Sequence, residues 1–325
     1  MPLHPEILDR APDEGARTVL LALLAEARER ADRLADPSDR EALHDFRVSV
    51  RRLRSNLRAW RDRLGKAVRD KDLGRLRRVA RATSEARNAE VLAAWVGESA
   101  ASLPPAQRAA ADWLAARLAR KVQGTDLSRS VERFRAAADS LAPRLERVGS
   151  PAPAGTFASA LAGRIREQAA LVEACLSRVE TEKDARLAHR ARIEGKRLRY
   201  LLEPLRGTAG IEPDRAVKVL KRLQDLLGDL NDAHLAAAAL KAARHEARTG
   251  RGRAGAGRSV AGLRPGLLAL EHRARDRAGR LFGRLRSEVL ATGGAATLDP
   301  SLQVAAALEA RARRHASAPR RTRRP

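Results

Sequence analysis

The sequence predicts an all-α protein in which the helices of the first half recur, in the same order, in the second half. Aromatic residues make up only 2% of the 325 residues and apolar residues 44%, so Leu, Ala and Val must fill the core. The frequent residues Ala, Leu, Arg and Glu are strong helix formers, whereas the residues that favour strands are scarce. Periodic apolar patterns separated by Pro and Gly then locate the helices.

Five helices are predicted in the first half. The second begins at Ser38, interpreted as the N-cap of a capping box with Glu41, and ends near Gly65. The five patterns cover residues 13–35, 38–65, 66–97, 104–124 and 126–148. The Gly/Pro/Ser-rich stretch 149–156 follows them and is the predicted domain boundary.

Four helices are predicted in the second half, and the third begins with Pro213 in its first turn, where proline is tolerated. The four patterns cover residues 157–180, 182–206, 213–248 and 264–290. The Gly/Arg-rich segment 248–259 is predicted to be mobile, and the basic tail after residue 315 is predicted to be disordered. No helix is assigned after residue 290.

The charge of the chain predicts an anionic partner. Lys and Arg number 65 against 40 Asp and Glu, a net charge of +25, and 57 of the 65 are Arg. A GC-rich genome accounts for the preference for Arg but not for the excess over acidic residues. Self-repulsion of this size destabilises a compact chain, so an anionic partner is the better explanation. Arg also binds phosphate as a bidentate fork, which Lys cannot do.

The remaining composition predicts a cytoplasmic protein without membrane contact. The single cysteine, Cys175, excludes an intrachain disulfide and a thiolate metal cluster, which suits a reducing compartment. The N-terminal residues lack the pattern of a signal peptide, and no stretch approaches the roughly eighteen apolar residues of a membrane span. We expect no metal and no other cofactor.

An internal repeat carries the predicted chemistry. His44–Arg54 (HDFRVSVRRLR) matches His189–Arg199 (HRARIEGKRLR), 145 residues later, at five of eleven positions. In the first copy, apolar residues from Leu43 to Leu64 recur every three or four positions and form one face of a helix. Cationic residues follow the same spacing one position later, roughly 100° around the helix. They are His44, Arg47, Arg51, Arg54, Arg58 and Arg61 in the first copy, and His189, Arg192, Lys196, Arg199 and Arg206 in the second.

Two interpretations of these cationic stripes were weighed. The Arg stems can simply cover apolar edges while their charged ends lie in solvent. Like charges three or four positions apart destabilise a helix slightly, however, so two matched stripes favour anion binding. Glu203 stands where the first copy has Arg58, so we expect the first copy to supply the longer cationic track. His44 and His189 are read either as pH-dependent members of the site or as neutral side chains beside the core.

A weaker correspondence, 144 residues apart, matches residues 76–92 to 220–236. It pairs Arg77 with Lys221 and Arg78 with Arg222, which add cations beside the stripes. It also pairs Arg87-Asn88 with Asn231-Asp232, and the side chains at these positions are predicted to form hydrogen bonds between helices.

These residues resemble the CHAD domain, the conserved histidine α-helical domain. The resemblance rests on H-x-x-R-x-x-x-[RK]-R-L-R, present twice, and on LKRLQDLLGDLND, and it covers about residues 13–290. It implies two similar four-helix bundles around a basic surface or pore that binds inorganic polyphosphate, and an association with polyphosphate granules in some members. The corresponding domains are 1–150, 151–292 and a C-terminal extension, 293–325. Asn88, where the family often has Asp, and Ser55, opposite Tyr200, depart from the family pattern.

The predicted function is therefore non-catalytic binding of polyphosphate. The predicted binding residues are His44, Arg47, Arg51, Arg52, Arg54, Arg58, Arg77, Arg78, His189, Arg192, Lys196, Arg197, Arg199, Lys221 and Arg222. An enzyme acting on phosphoanhydrides would need carboxylates for Mg²⁺ or a GK[ST] loop, and the stripes contain neither. Nucleic-acid binding is the other alternative: stacking aromatics are few, but the Arg-rich tail favours weak, non-specific contacts.

Overall fold

The structure, a computed structural model, describes residues 4–36, 38–39, 41–123, 127–149, 155–249 and 260–317. Every regular element in these ranges is helical, which confirms the all-α prediction. The first six α-helices are α1 (Pro12–Asp32), α2 (Ala42–Ala59), α3 (Arg61–Leu64), α4 (Asp70–Ala100), α5 (Pro105–Gln123) and α6 (Leu127–Glu146). The next five are α7 (Phe157–Leu176), α8 (Ala185–Leu202), α9 (Asp214–Thr249), α10 (Arg264–Glu288) and α11 (Ala295–Ser317).

The predicted capping box at Ser38 is wrong. The backbone amide and the hydroxyl of Ser38 both donate to Asp36 Oδ1, at 2.9 and 2.6 Å, so the Ser38 side chain belongs to the preceding turn. The N-cap of α2 is Glu41, and the backbone N–H of Glu41 donates a hydrogen bond to Asp39 Oδ1. The predicted helix is also interrupted at Trp60, after which α3 adds a single turn.

A large apolar core crosses the predicted boundary at 149–156. Its buried residues come from α1, α2, α4 and α6 in the first half and from α7, α8, α9, α10 and α11 in the second. The rings of Trp60 and Phe157 pack 5.1 Å apart across the boundary. Gly15 of α1 also lies against Phe157, and a Cβ at this position would collide with the ring. The division into two four-helix bundles therefore stays a prediction.

A second apolar cluster joins the far ends of α4, α5, α9 and α10, with Val96, Leu114, Leu240 and Leu270 buried in it. Gly266 allows α10 to approach α5, since a Cβ there would lie 2.5 Å from the carbonyl oxygen of Gln107. The two clusters hold the middle parts of α4 and α9 at the sides of α2 and α8.

The C-terminal extension contains a helix that the sequence analysis did not assign. α11 packs on α7, and Val304, Ala305 and Leu308 are buried in the main core. An ion pair from Arg311 to Asp9, at 2.6 Å, ties it to the start of the chain. Residues 316–317 end this helix, whereas the rest of the predicted disordered tail lies outside the described residues.

Most of the predicted mobile segment, residues 250–259, also lies outside the described residues, and residues 248–249 complete α9. Among the described helices, none combines the length and the apolar character needed to cross a membrane.

Candidate functional site

A cavity of about 720 Å³ lies between α2, α4, α8 and α9. It receives cationic side chains from both copies of the repeat because the neighbouring apolar positions, such as Phe46, Val50 and Ala191, are fully buried. The residue that follows each buried side chain is rotated roughly 100° around the helix axis, so it lies at the side of the helix, next to the cavity. The cationic cavity, as we call it, is lined by His44, Arg47, Arg51, Arg54 and Arg58 of α2 and by His189, Arg192, Lys196 and Arg197 of α8.

Buried side-chain amides hold the helices around the cavity. Asn56 Nδ2 of α2 donates to the carbonyl oxygen of Tyr200 in α8, at 3.1 Å. Gln224 Nε2 of α9 donates to the carbonyl oxygen of Gly195 in α8, at 3.0 Å. Because each bond buries a polar group on both helices, the spacing of α2, α8 and α9 is fixed by partners that water cannot replace.

The side of the cavity formed by α4 and α9 comes from the weaker sequence correspondence. Arg87 and Asn88 of α4 and Asn231 and Asp232 of α9 line it. His189 Nδ1 lies 2.6 Å from Asn231 Oδ1, and since the amide oxygen accepts, the ring nitrogen donates. This bond joins α8 to α9, as expected for an inter-helix role of Asn231.

Burial and mutual repulsion set the electrostatics of the cavity. Burial, followed by the charges of Arg51 and Arg87, lowers the pKa of Arg47 to about 10. Burial also lowers the pKa of Arg54 to about 10, with Arg58 and Arg51 as the next causes. These guanidiniums remain charged at neutral pH and are held close to one another, with the charge of Glu90 opposing the shift at Arg47.

Lys196 is the most strongly affected of the cations. Burial lowers its pKa to about 7, and the charges of Arg192 and Arg51 add to the effect. The pKa of Arg192 is also lowered, first by burial and then by Arg51, while Asp232 opposes both shifts. Positive charge in this cavity is therefore costly, and an anion would relieve the cost.

Two buried donors occupy equivalent positions of the repeat. The Nε atoms of Arg47 and Arg192 are buried and have no hydrogen-bond partner among the described residues. Arg192 packs against α9 at Gly228, where a Cβ would lie 3.5 Å from its Nε. A buried donor without a partner costs roughly 1–3 kcal/mol. The protein thus accepts an unfavourable arrangement on both motif helices in order to keep guanidinium groups at the cavity.

The chain matches the family model of the CHAD domain over residues 18–241. The chain belongs to the CHAD domain family. A crystal structure of the CHAD domain from the plant Ricinus communis has the same fold, with a TM-score of 0.61 and 22% sequence identity over 92% of this chain and 96% of that chain. Among curated proteins, none matches the chain.

Two predicted binding residues of this CHAD domain form ion pairs outside the cavity lining. Arg52 donates from Nε to Glu203, at 2.6 Å, and from Nη1 to Glu26, at 2.9 Å. Arg199 pairs with the other oxygen of Glu203, at 2.9 Å, and lies over the ring of Tyr200. The Glu203 side chain is only 9% exposed, so its charge requires these two partners. Arg52 and Arg199 thus meet at Glu203, where α2 packs against α8, and their part in binding stays a prediction.

Four other predicted residues lie outside the cavity lining of the CHAD domain. Arg77 is close enough to contribute to the lowered pKa of Arg54 and Arg58, so it extends the positive field. Arg78, Lys221 and Arg222 are exposed on α4 and α9. Arg197 does line the cavity, but it is also paired with Glu194, at 2.8 Å.

Some cavity residues were not predicted as binding residues. Arg87 adds a cation from α4, and Asp232 adds a carboxylate from α9. The weaker correspondence in the sequence contained both positions, but it assigned them to hydrogen bonds between helices and gave the cationic role to Arg77, Arg78, Lys221 and Arg222. In the described part of the chain, no group of three or more His, Cys, Asp or Glu is arranged to hold a metal ion.

Proposed function

We propose that this CHAD domain binds inorganic polyphosphate in the cationic cavity and does not convert it chemically. The supporting observation is that one cavity receives Arg and Lys side chains from both copies of the motif. The arrangement suits two repeated bundles whose equivalent helices, α2 and α8, face each other across the ligand.

Polyphosphate fits the chemistry of the cavity. It carries about one negative charge for each phosphate unit and offers guanidinium groups oxygens in pairs. A bound anion would raise the lowered pKa values of Arg47, Arg54 and Lys196 and would supply acceptors to buried donors. Contacts on both helices would also combine along one flexible polymer, which strengthens binding.

Binding without catalysis is favoured by the scarcity of carboxylates among the described residues that line the site. Metal-assisted phosphoryl transfer needs several carboxylate ligands to place Mg²⁺ on the phosphates. Among the described residues that line the cavity, Asp232 is the only one with a carboxylate. By analogy with the family, we place the protein in the cytoplasm, associated with polyphosphate granules.

Removal of two central cations tests the site. We expect the double variant Arg51→Gln with Lys196→Gln to bind polyphosphate of defined length about 10- to 100-fold more weakly, because charge-assisted hydrogen bonds are lost. Isothermal titration at constant ionic strength measures the dissociation constant. Circular dichroism verifies that the variant is folded.

Three control variants separate the cavity from the overall charge. Arg280→Gln with Arg286→Gln removes two exposed cations of α10 and leaves the same net charge as the test variant. Lys221→Gln with Arg222→Gln does so on α9, and Arg52→Gln removes one of the two partners of Glu203. Each control should change affinity by no more than about twofold. Unchanged affinity in the folded test variant would remove the cavity as the binding site.

Competition distinguishes polyphosphate from nucleic acid. If the proposal is correct, low concentrations of polyphosphate displace double-stranded DNA, and excess DNA does not displace polyphosphate. The reverse order would make nucleic acid the ligand. Release of phosphate during incubation with polyphosphate and Mg²⁺ would show that the protein is an enzyme instead.

A further inference from the structure

A second, smaller cavity of about 250 Å³ adjoins the cationic cavity between α4 and α9. Asn88 and Val91 of α4 and Asp232 and Leu235 of α9 line both cavities. Beyond this shared rim the lining is mostly apolar and includes the indole of Trp95. We call this space the apolar pocket. A ligand that fills both spaces has a charged part and an apolar part that are directly connected.

The apolar pocket exists because the two halves of the repeat differ in side-chain size. Its two main walls are equivalent faces of α4 and α9, related by the interval of 144 residues, and Leu118 of α5 and Arg277 of α10 complete the lining. On α4 the face carries Leu92 and Trp95, whereas the equivalent residues of α9 are Ala236 and Ala239. Large side chains on one wall and small ones on the other leave room beside the indole. Leu235 on the rim is 47% exposed, so the pocket is open to a ligand.

We propose that the site takes a nucleoside triphosphate, with the phosphates in the cationic cavity and the base in the apolar pocket against Trp95. This inference rests on the proposed function of the cationic cavity. A planar base stacks on an aromatic ring, and the pocket is large enough for one base. Asn88 and Asp232 lie at the junction, where an amide and a carboxylate can bind the hydroxyls of a sugar.

The charge of the site favours a triphosphate over single-stranded nucleic acid. Six Arg and Lys side chains of α2 and α8 line the cationic cavity in addition to Arg197, which is paired with Glu194. A nucleoside triphosphate concentrates its charges next to one base, whereas a nucleic acid strand carries about one charge for each base. A single apolar pocket beside a dense group of cations matches the first distribution.

Comparison of ATP with inorganic tripolyphosphate tests the inference. Both carry three phosphates, and tripolyphosphate carries at least as much charge, so electrostatics alone predicts that tripolyphosphate binds at least as tightly. If the base occupies the apolar pocket, ATP binds about tenfold more tightly, the size expected for one base stacked on an aromatic ring. Titration calorimetry of the full chain without Mg²⁺ measures both constants.

Filling the apolar pocket provides the matched variant. Ala239→Leu places a larger side chain opposite Trp95, and Ala238→Leu makes the same change at an exposed neighbour that lines neither cavity. We expect Ala239→Leu to reduce ATP affinity to that of tripolyphosphate, with polyphosphate affinity unchanged, and Ala238→Leu to change neither. Equal binding of ATP and tripolyphosphate by the wild type, or full ATP preference in Ala239→Leu, would overturn the inference.

The outcomes separate the two proposals. Polyphosphate binding without ATP preference removes only the apolar pocket as a base site. ATP binding that Ala239→Leu reduces, together with failure of polyphosphate to bind, supports the base site and overturns the proposed function. If single-stranded DNA binds more tightly than ATP, and Ala239→Leu weakens that binding, the ligand is nucleic acid and the nucleotide inference is wrong.

Discussion

Among the cations that line the cationic cavity, Lys196 has the pKa that its surroundings lower most. Burial, then Arg192 and Arg51, lower its pKa to about 7, while Asp232 acts in the opposite direction. In the free protein, Lys196 is therefore charged below this pH and neutral above it. A bound polyanion favours the charged form, so the pKa of Lys196 is higher in the complex than in the free protein.

This difference predicts that polyphosphate binding weakens as pH rises. Between the two pKa values of Lys196, binding takes up a proton, so affinity falls by up to about tenfold for each pH unit. Dissociation constants between about pH 7.5 and 9, where an ordinary histidine is mostly neutral, isolate the contribution of the lysine. Lys196→Arg keeps the charge throughout this range and should remove most of the slope. An unchanged slope in that variant would assign the pH dependence to another group.

Which cations line the cationic cavity was only partly predictable from single residues. Helical periodicity placed His44, Arg47 and Arg51 on one stripe, and the structure brings them to one cavity. The positions of the Arg52 and Arg199 side chains depend on Glu203, which lies at the end of α8 and forms an ion pair with each of them. The sequence showed that Glu203 interrupts the stripe, but a one-dimensional pattern contains no distance between α2 and α8. Ion pairs between helices are determined by tertiary packing.

The helices before residue 290 were predicted close to where they form, and the helix after it was not predicted. α4 to α10 form close to the predicted ranges, whether or not they belong to the matched segments of the repeat, whereas the range predicted for α2 is interrupted at Trp60. α11 has no counterpart in the first half, follows Gly293-Gly294 and contains Pro300, all of which indicate a break. It is stabilised instead by burial against α7, which overrides these local signals.

The role of α11 in the core predicts a large effect from one substitution. Leu308 is fully buried, so Leu308→Ala should lower the free energy of unfolding by about 2–5 kcal/mol through lost burial and a cavity. Urea denaturation monitored by circular dichroism measures the change. Leu268→Ala, the same substitution at a side chain 38% exposed on α10, should cost less than about 1 kcal/mol. Equal, small effects would mean that α11 does not contribute to the core.

Across the whole molecule, the net charge of +25 opposes folding, and Arg51 concentrates that effect at the cationic cavity. Its charge contributes to the lowered pKa of Arg47, Arg54, Arg192 and Lys196. Four cations on two helices are thus less stable in their charged form because Arg51 is present. The concentrated charge of the cationic cavity is therefore kept at the expense of the stability of the free protein.

The substitution Arg51→Gln should therefore stabilise the free protein and destabilise its complex with polyphosphate. Without ligand, Arg51→Gln relieves repulsion and should raise the midpoint of thermal unfolding by about 1–3 °C. Polyphosphate at about 100 times its dissociation constant should stabilise the wild type by about 2.7 kcal/mol, and should stabilise the variant much less at the same concentration. Scanning calorimetry with and without polyphosphate measures both effects. A lower midpoint for the free variant would show that Arg51 stabilises the fold, and the cost of concentrated charge would then have to lie elsewhere.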